Sequence, residues 1–511
     1  MSQVVLIYPP VSKPGEVPLG VARLKSTLSH SGISCTVTDA NLDGLHFLLS
    51  QPILGKDKWT RDAASQIQSH LEALKQGTAF RSIDHYNRIV RDLGRVLQYQ
   101  GKNYHAFLGL ADFGHPEWSL AKSDDLLASA ERPESNPFFP YYHDQLLPFI
   151  MDENPEMIGL SVQFLSQAFC AFALLGLIRR TMPHVRLVVG GGLITSWMQL
   201  SSWHDPFHGL LDYCVSGPGE PFFLSYFRKT ESICFPTPDL SSFQTERALS
   251  PGVVLPYNTS TGCFWRQCRF CPECAEGNAY IPVPQNRVLE DLTHLCQRHS
   301  PSLIHFLDNA LAPSLLKQIV QTPFSAPWYG YVRFHSDLLD VDFCRELRAS
   351  GCVMLKLGLE SGDQEVLDVM HKGIDLDVVS RILFNLKSAS IQTYVYVLFG
   401  TPYESEHQAR QTLLFVKRHA DAIGFINPAI FNMPAESDET RRFVTRPFSE
   451  GDLSLYVDFE HPTGWDRLSV RHFLDREFKR DSDVSKILRR TPKVFTSNHA
   501  PFFAIFGRHE C

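Results

Sequence analysis

The chain has 511 residues, 44% hydrophobic and 20% charged, with 48 Lys and Arg against 55 Asp and Glu for a net charge of −7. This length suits two large domains with an appendage, and the composition is ordinary for a protein with sizeable buried cores. The acidic balance argues against a nucleic-acid partner, which would prefer a basic face. Twelve cysteines are too few for a disulfide scaffold. The opening Met-Ser-Gln-Val-Val-Leu-Ile-Tyr-Pro-Pro lacks the basic and apolar regions of a leader, and no run of about 18 apolar residues offers a membrane span. The expectation is a cytoplasmic protein with reduced thiols.

Residues 4–8 read as an apolar strand closed by Pro9 and Pro10. A loop with Pro14, Gly15 and Pro18 leads through Leu19 and Gly20 into a helix over residues 21–31, which Gly32 stops, and residues 34–39 read as the next strand. Residues 44–150 interrupt this rhythm with helical patterns at 63–75 and 85–98 and a polar, proline-containing loop at 132–140. They read as an insertion. Alternation resumes with a strand at 157–162, a helix at 168–182, and a strand at 186–189 running into Gly190, Gly191 and Gly192. A further strand at 213–216 ends at Gly217-Pro-Gly219-Glu220. This pattern predicts an α/β fold, a doubly wound, Rossmann-like parallel sheet over residues 1–235 that binds its ligand at the carboxyl ends of the strands. Glycines there admit a bulky or phosphorylated ligand close to the backbone. No G-x-G-x-x-G follows the first strand, so a nicotinamide fold is rejected.

A proline-containing link at 235–251 precedes a second alternating series over residues 250–435. Residues 303–307 run into Asp308-Asn309, 328–333 end at Arg333, 353–357 open into Gly358-Leu-Glu360-Ser361-Gly362, and 393–399 end at Gly400-Thr-Pro402. Polar residues at successive strand ends predict a partial (β/α)6 barrel with its site at one mouth. Directly after the first strand of the series stand Cys263, Cys268 and Cys271, with four and then two residues between them, followed by Cys274. Thiols this dense make a disulfide knot, a zinc site or an iron–sulfur cradle. A reducing compartment disfavours the first. Zinc wants a fourth ligand, often from a second pair, whereas the next cysteine, Cys296, stands alone. Three thiolates on a short loop suit a 4Fe–4S cluster with one open iron. Residues 436–511 are charged and then aromatic (Trp465, Phe473, Phe478, Phe495, Phe502, Phe503, Phe506) and read as a small α-rich segment that packs against the barrel or lids its mouth.

These motifs together resemble the cobalamin-binding branch of the radical S-adenosylmethionine superfamily over most of the chain. The resemblance implies that Cys263, Cys268 and Cys271 hold three irons, with the amino and carboxylate groups of S-adenosylmethionine on the fourth. Phe270 would pack on the adenine, Asp308 and Asn309 would stand at the methionine amino group, and Glu360 and Ser361 at the ribose or carboxylate. Gly400 closes a strand end of the same site, and Arg333 is a candidate carboxylate partner because a guanidinium matches it bidentately. Pro10, Leu19, Gly20, Ser161, Gln163, Gly190, Gly191, Gly192, Gly217, Gly219 and Glu220 match the layout of that branch's cobalamin domain. Two departures stand out: four residues lie between the first two cysteines where the superfamily has three, and no Asp-x-His-x-x-Gly offers a lower cobalt ligand. The implied chemistry is reductive cleavage of S-adenosylmethionine to a 5′-deoxyadenosyl radical, hydrogen abstraction from an unactivated carbon, and methyl delivery from methylcobalamin. The implied partners are a reductant such as flavodoxin or ferredoxin and a small-molecule, peptide or lipid substrate. A non-methylating radical reaction such as ring formation is one alternative, and a cobalamin- or cluster-binding sensor without turnover is another.

Overall fold

The computed structural model describes residues 2–54, 57–229, 236–493 and 499–504; Phe495, Phe506 and Cys511 lie outside them. The chain divides into two compact units, Met1–Gly252 with Ser449–Leu455, and Val253–Phe448 with Tyr456–Cys511.

The first unit is built on five strands, β1 (Val4–Ile7), β2 (Cys35–Thr38), β3 (Met157–Ser161), β4 (Arg186–Gly190) and β5 (Tyr213–Cys214). Their order is β2-β1-β3-β4-β5, and every pairing is parallel. All four residues of β1 are buried, as expected for a central strand covered on both faces. The helix Ala168–Thr181 is buried without a break from Ala168 to Ile178. It crosses the insertion's helix Ser123–Glu131 so closely that a Cβ on Gly176 would stand 1.8 Å from the Ala130 carbonyl oxygen. The insertion falls between β2 and β3. Its longest helix, Ile83–Lys102, buries Tyr86, Ile89, Val90, Leu93, Val96 and Leu97 at amphipathic spacing. The helical pattern at 63–75 is two helices, Lys58–Ser65 and Ile67–Lys75, which meet at Gln66. The loop at 132–140 winds into short helical turns at Pro133–Ser135 and Phe139–Tyr141. Residues of the C-terminal segment also belong here: the Leu453 amide donates to the Ala121 carbonyl at 2.9 Å, and Asp452 accepts from the Ser123 amide at 2.9 Å.

In this strand order the chain leaves β1 in one direction to form β2 and returns on the other side to form β3. The crevice beyond the carboxyl ends of β1 and β3 is therefore the switch point where such sheets bind ligands. Its two loops are tied together, with Ser166 Oγ donating to the Val11 carbonyl at 2.7 Å and Gln167 Nε2 to the Pro9 carbonyl at 2.7 Å.

The second unit holds six parallel strands in sequential order, β6 (Val254–Tyr257), β7 (Leu303–Phe306), β8 (Trp328–Val332), β9 (Cys352–Glu360), β10 (Gln392–Phe399) and β11 (Phe425–Ile430). Amphipathic helices connect them, for example Gln285–His299, which buries Val288, Leu292 and Leu295. This is a (β/α)6 sheet with β6 and β11 as its edges. Pro428 lies inside β11. A residue without an amide hydrogen is tolerated there because β11 has a neighbour on one side only. The C-terminal segment is not simply α-rich. A three-stranded antiparallel sheet (Met433–Pro434, Thr445–Pro447, Tyr456–Phe459) precedes the helices Arg467–Arg476 and Ser482–Arg490. Phe473 and Phe478 pack on Phe399, the last residue of β10, with ring centroids 5.9 and 5.0 Å apart. Among the described residues no helix is long and apolar enough to cross a membrane.

Candidate functional site

The cysteine loop is rooted where β6 ends. Asp308, just beyond β7, is 2% exposed. Its carboxylate accepts from the Thr259 amide at 2.9 Å, from Thr259 Oγ1 at 2.8 Å and from Ser260 Oγ at 2.7 Å. The side chain expected at a methionine amino group is thus occupied by the neighbouring strand end. Burial pushes its pKa up despite these hydrogen bonds. Asn309 Nδ2 donates to the Gly262 carbonyl at 3.3 Å, so both residues position the loop. Gly262 itself has φ +69, and a Cβ there would stand 2.4 Å from the Ala279 carbonyl oxygen, so only glycine fits. Ser260–Thr261 pairs antiparallel with Ile281–Pro282, which closes the base of the loop.

Cys268 is the buried thiol of the loop, while Cys263, Cys271 and Cys274 are half-buried. Arg333 stacks over the Trp265 ring at 4.1 Å, reaches Cys268 Sγ at 3.9 Å and donates to the Lys372 carbonyl. Lys372 pairs with Glu360 at 2.8 Å, and its ammonium stands 5.5 Å from the Phe270 ring centroid. Gly358 leaves room for that pair: a Cβ on it would lie 2.4 Å from Glu360 Oε1 and 2.7 Å from Lys372 Nζ. Trp265 is fixed by its Nε1 donating to the His371 carbonyl at 3.1 Å, and it lies against Gly373. Burial pushes the Cys268 thiol up, while Lys372 and Arg333 pull it down by favouring its thiolate. Burial and the neighbouring Cys274 push Cys271 up to about 12. No three His, Cys, Asp or Glu among the described residues converge on one point as around a single metal ion. A four-iron cluster asks for something else, since its thiolates each take a different iron and surround a cube. A loop of thiols backed by two cations fits that demand, because the ligands must be thiolates.

Trp265 and Lys372 carry no motif and become visible only in three dimensions. On the same face of β9 as Glu360, Lys356 Nζ lies 2.9 Å from His305 Nε2 and 4.7 Å from the Tyr331 ring centroid. Tyr331, Tyr396 and Tyr394 follow with centroids 5.2 and 4.6 Å apart. This face of the sheet is thus polar and phenolic.

Two expected residues turn away from it. Ser361 is fully buried, its hydroxyl shared between Thr412 Oγ1 at 3.3 Å and the Asp363 amide at 3.2 Å, so it holds the strand end. Gly400 has φ +78, and a Cβ on it would lie 3.0 Å from Val470, so it serves the packing of the C-terminal helix. The Gly400 amide donates to Glu404 Oε2 at 2.6 Å and Trp465 Nε1 to the same atom at 3.1 Å, while Oε1 has no partner. Burial raises Glu404 from 4.5 to about 7. The folded chain therefore holds this proton more tightly than the unfolded one. Stability falls as pH rises from about 4.5 to about 7 and then levels off, on the order of 3 kcal/mol in all. Glu404→Gln is expected to remove this slope, which thermal melts of both proteins across that window will read. Equal slopes would contradict the assignment.

In the first unit, Gln163 ties the ends of β3 and β4, accepting from the Gly192 amide at 2.9 Å and donating to Ser161 Oγ at 3.0 Å. Gly191 has φ +104, and a Cβ on it would lie 2.5 Å from the Val162 carbonyl oxygen, so the turn itself demands glycine. Gly217 has φ +73 with open space around it. Gly20, Gly190, Gly192 and Gly219 are also accessible, and beside Gln163 stand the exposed Phe164 and Leu165. An accessible glycine shelf edged by exposed apolar side chains fits a large, flat ligand such as a corrin. Pro10, Leu19 and Glu220 are buried and shape the shelf from within, with burial raising the Glu220 pKa.

Residues 257–416 match the sequence model of the Radical SAM superfamily. The second unit is built around a radical SAM domain. Among solved structures, the chain is similar to OxsB, a cobalamin-dependent S-adenosylmethionine radical enzyme with aqua-cobalamin and S-adenosylmethionine bound. The TM-score is 0.52 at 15% identity, over 83% of this chain and 52% of that one. It is also similar to TsrM of Kitasatospora setae, a radical S-adenosylmethionine methyltransferase with cobalamin and a [4Fe-4S] cluster bound, at a TM-score of 0.49 and 16% identity over 85% of this chain and 76% of that one. No curated protein matches the sequence. The chain spans about half the length of OxsB, and its fold is similar to the one in that structure, a Rossmann-like sheet followed by the radical SAM domain.

Proposed function

We propose that this radical SAM protein binds a 4Fe–4S cluster, S-adenosylmethionine and cobalamin, and methylates an unactivated carbon. The observation that carries the reading is the braced cysteine loop of the radical SAM domain, preceded in the same chain by a parallel sheet with a switch-point crevice. Cys263, Cys268 and Cys271 would hold the cluster, with Arg333 and Lys372 stabilising the buried thiolate and Phe270 beside them to stack on an adenine. Asp308 and Asn309 act through the loop they position. The glycine shelf of the first unit, Gly190, Gly192 and Gly217 with Gln163, would hold the corrin. When bound, the cluster supplies the electron that cleaves S-adenosylmethionine and cobalamin supplies a methyl group. The polar, phenolic face around Tyr331, Tyr396 and Lys356 would orient the substrate and keep bulk water from the reacting carbon. The electron would come from a donor such as a flavodoxin or ferredoxin. Product analysis with a reductant and candidate substrates tests the reaction: a methylated product with S-adenosylhomocysteine and 5′-deoxyadenosine is expected. Deoxyadenosine with no methylated product would instead support ring formation or another non-methylating reaction.

A further inference from the structure

A cavity of about 900 Å³ lies at the carboxyl end of β2, on the far side of β1 from the glycine shelf. The insertion supplies most of its walls: Phe47 from the helix Ala40–Ser50, Tyr141 from the turn Phe139–Tyr141 and Phe149 from the helix Leu147–Glu153. Phe243, from the link at 235–251, adds a fourth ring. The Phe47 and Tyr141 centroids are 5.9 Å apart with the rings tilted at 47°. A space of this size suits a small organic ligand. The charged groups on its lining are unequally matched. Arg247 Nη1 donates to Asp43 Oδ1, and to Gln244 Oε1 at 3.1 Å. His46 Nε2 donates to the Arg247 carbonyl at 2.9 Å, and burial lowers its pKa, so it adds no charge. Asp39 accepts from the Leu42 amide at 2.9 Å as the N-cap of Ala40–Ser50. Among the described residues it has no ion pair, and the cation that acts on it at longer range, Arg247, is committed to Asp43. One negative charge is therefore left over in a cavity walled by aromatic rings, whose faces also attract cations.

We propose that this cavity is a ligand site, separate from those proposed for the cluster and the corrin, that takes a small organic cation: a primary or secondary ammonium on an aromatic or branched apolar body. The ammonium donates to the Asp39 carboxylate, and the body lies between Phe47, Tyr141 and Phe149. An anionic ligand would find Arg247 already neutralised and Asp39 repelling it. Burial above all, and then Asp43, raises Asp39 to about 7 against the Leu42 and Asn41 amides and Arg247. Tyr8 and Tyr141, whose pKa values burial also raises, face the same carboxylate as neutral phenols. A bound ammonium favours the ionised carboxylate, so affinity for the cation rises with pH through about 7.

Isothermal titration of the full chain with 2-phenylethylamine, the neutral 2-phenylethanol and the anionic 3-phenylpropionate tests this. The amine is expected to bind at least about tenfold more tightly than either of the others, and more tightly at about pH 8 than at about pH 6. Asp39→Asn keeps a capping side chain and is expected to lose both the preference and the pH dependence, with a thermal melt confirming its fold. Phe149 is 38% exposed, so Phe149→Ala leaves the core intact; it is expected to weaken the amine several-fold while keeping the pH dependence. Equal binding of the three compounds, or amine binding that Asp39→Asn leaves unchanged, would overturn the proposal. A preference for phenylpropionate would overturn it too, by showing that Arg247 parts from Asp43 to take an anion. So would the absence of binding by all three to wild-type chain that melts cooperatively. None of these readouts needs a cluster or cobalamin, so failure here is distinct from failure of the radical SAM reading.

Discussion

A Cys268→Ser chain is expected to emerge from anaerobic reconstitution with iron at background and no cleavage of S-adenosylmethionine. Of the loop thiols Cys268 alone is buried, and Arg333 and Lys372 both act on it. Serine keeps the volume but offers a far weaker ligand to iron, which prefers soft thiolates in clusters. The remaining ligands, Cys263 and Cys271, would leave two irons without a protein anchor. Iron and sulfide analysis alongside the visible spectrum reads this result. A variant that keeps a full cluster would show that Cys268 is a packing residue and that the loop's true ligands lie elsewhere.

The second large effect is expected at Asp308. Asp308→Ala leaves two hydroxyls and one amide of the buried Thr259 and Ser260 without their acceptor. Each lost acceptor of this kind costs about 1–3 kcal/mol, so a loss of about 3–5 kcal/mol is expected, a drop in Tm of roughly 10 °C for a unit of this size. The loop that follows would lose its root, so cluster loading should fall in parallel. Asp308→Asn retains one carbonyl acceptor and should lie between the two. Thermal melts with iron analysis distinguish this from a direct ligand contact. If Asp308→Ala melts and loads like wild type but binds S-adenosylmethionine poorly, the carboxylate faces the ligand after all.

The alternating strands and the cysteine loop were legible because apolar runs bounded by glycine and proline, and a dense set of thiols, are local patterns. The role of Asp308 was not. A carboxylate at a strand end reads the same whether it meets a ligand or the hydroxyls of Thr259 and Ser260, which lie 49 and 48 residues away in sequence. The contact of Ser361 was hidden for a similar reason, since its partner Thr412 sits on the helix Glu406–Arg418. Lys372 follows a short helix without a motif and gains meaning only through Glu360, Phe270 and Arg333. The strand β11 was hidden by Pro428, and the return of Ser449–Leu455 to the first unit has no periodic signal at all.

The most direct test of the two-cofactor account is metal analysis of protein made with cobalamin, reconstituted anaerobically and desalted. About four irons and about one cobalt per chain are predicted, with the cobalt retained through desalting. Iron without cobalt would contradict the reading of the first unit while keeping the radical barrel, and zinc in place of iron would contradict the account as a whole.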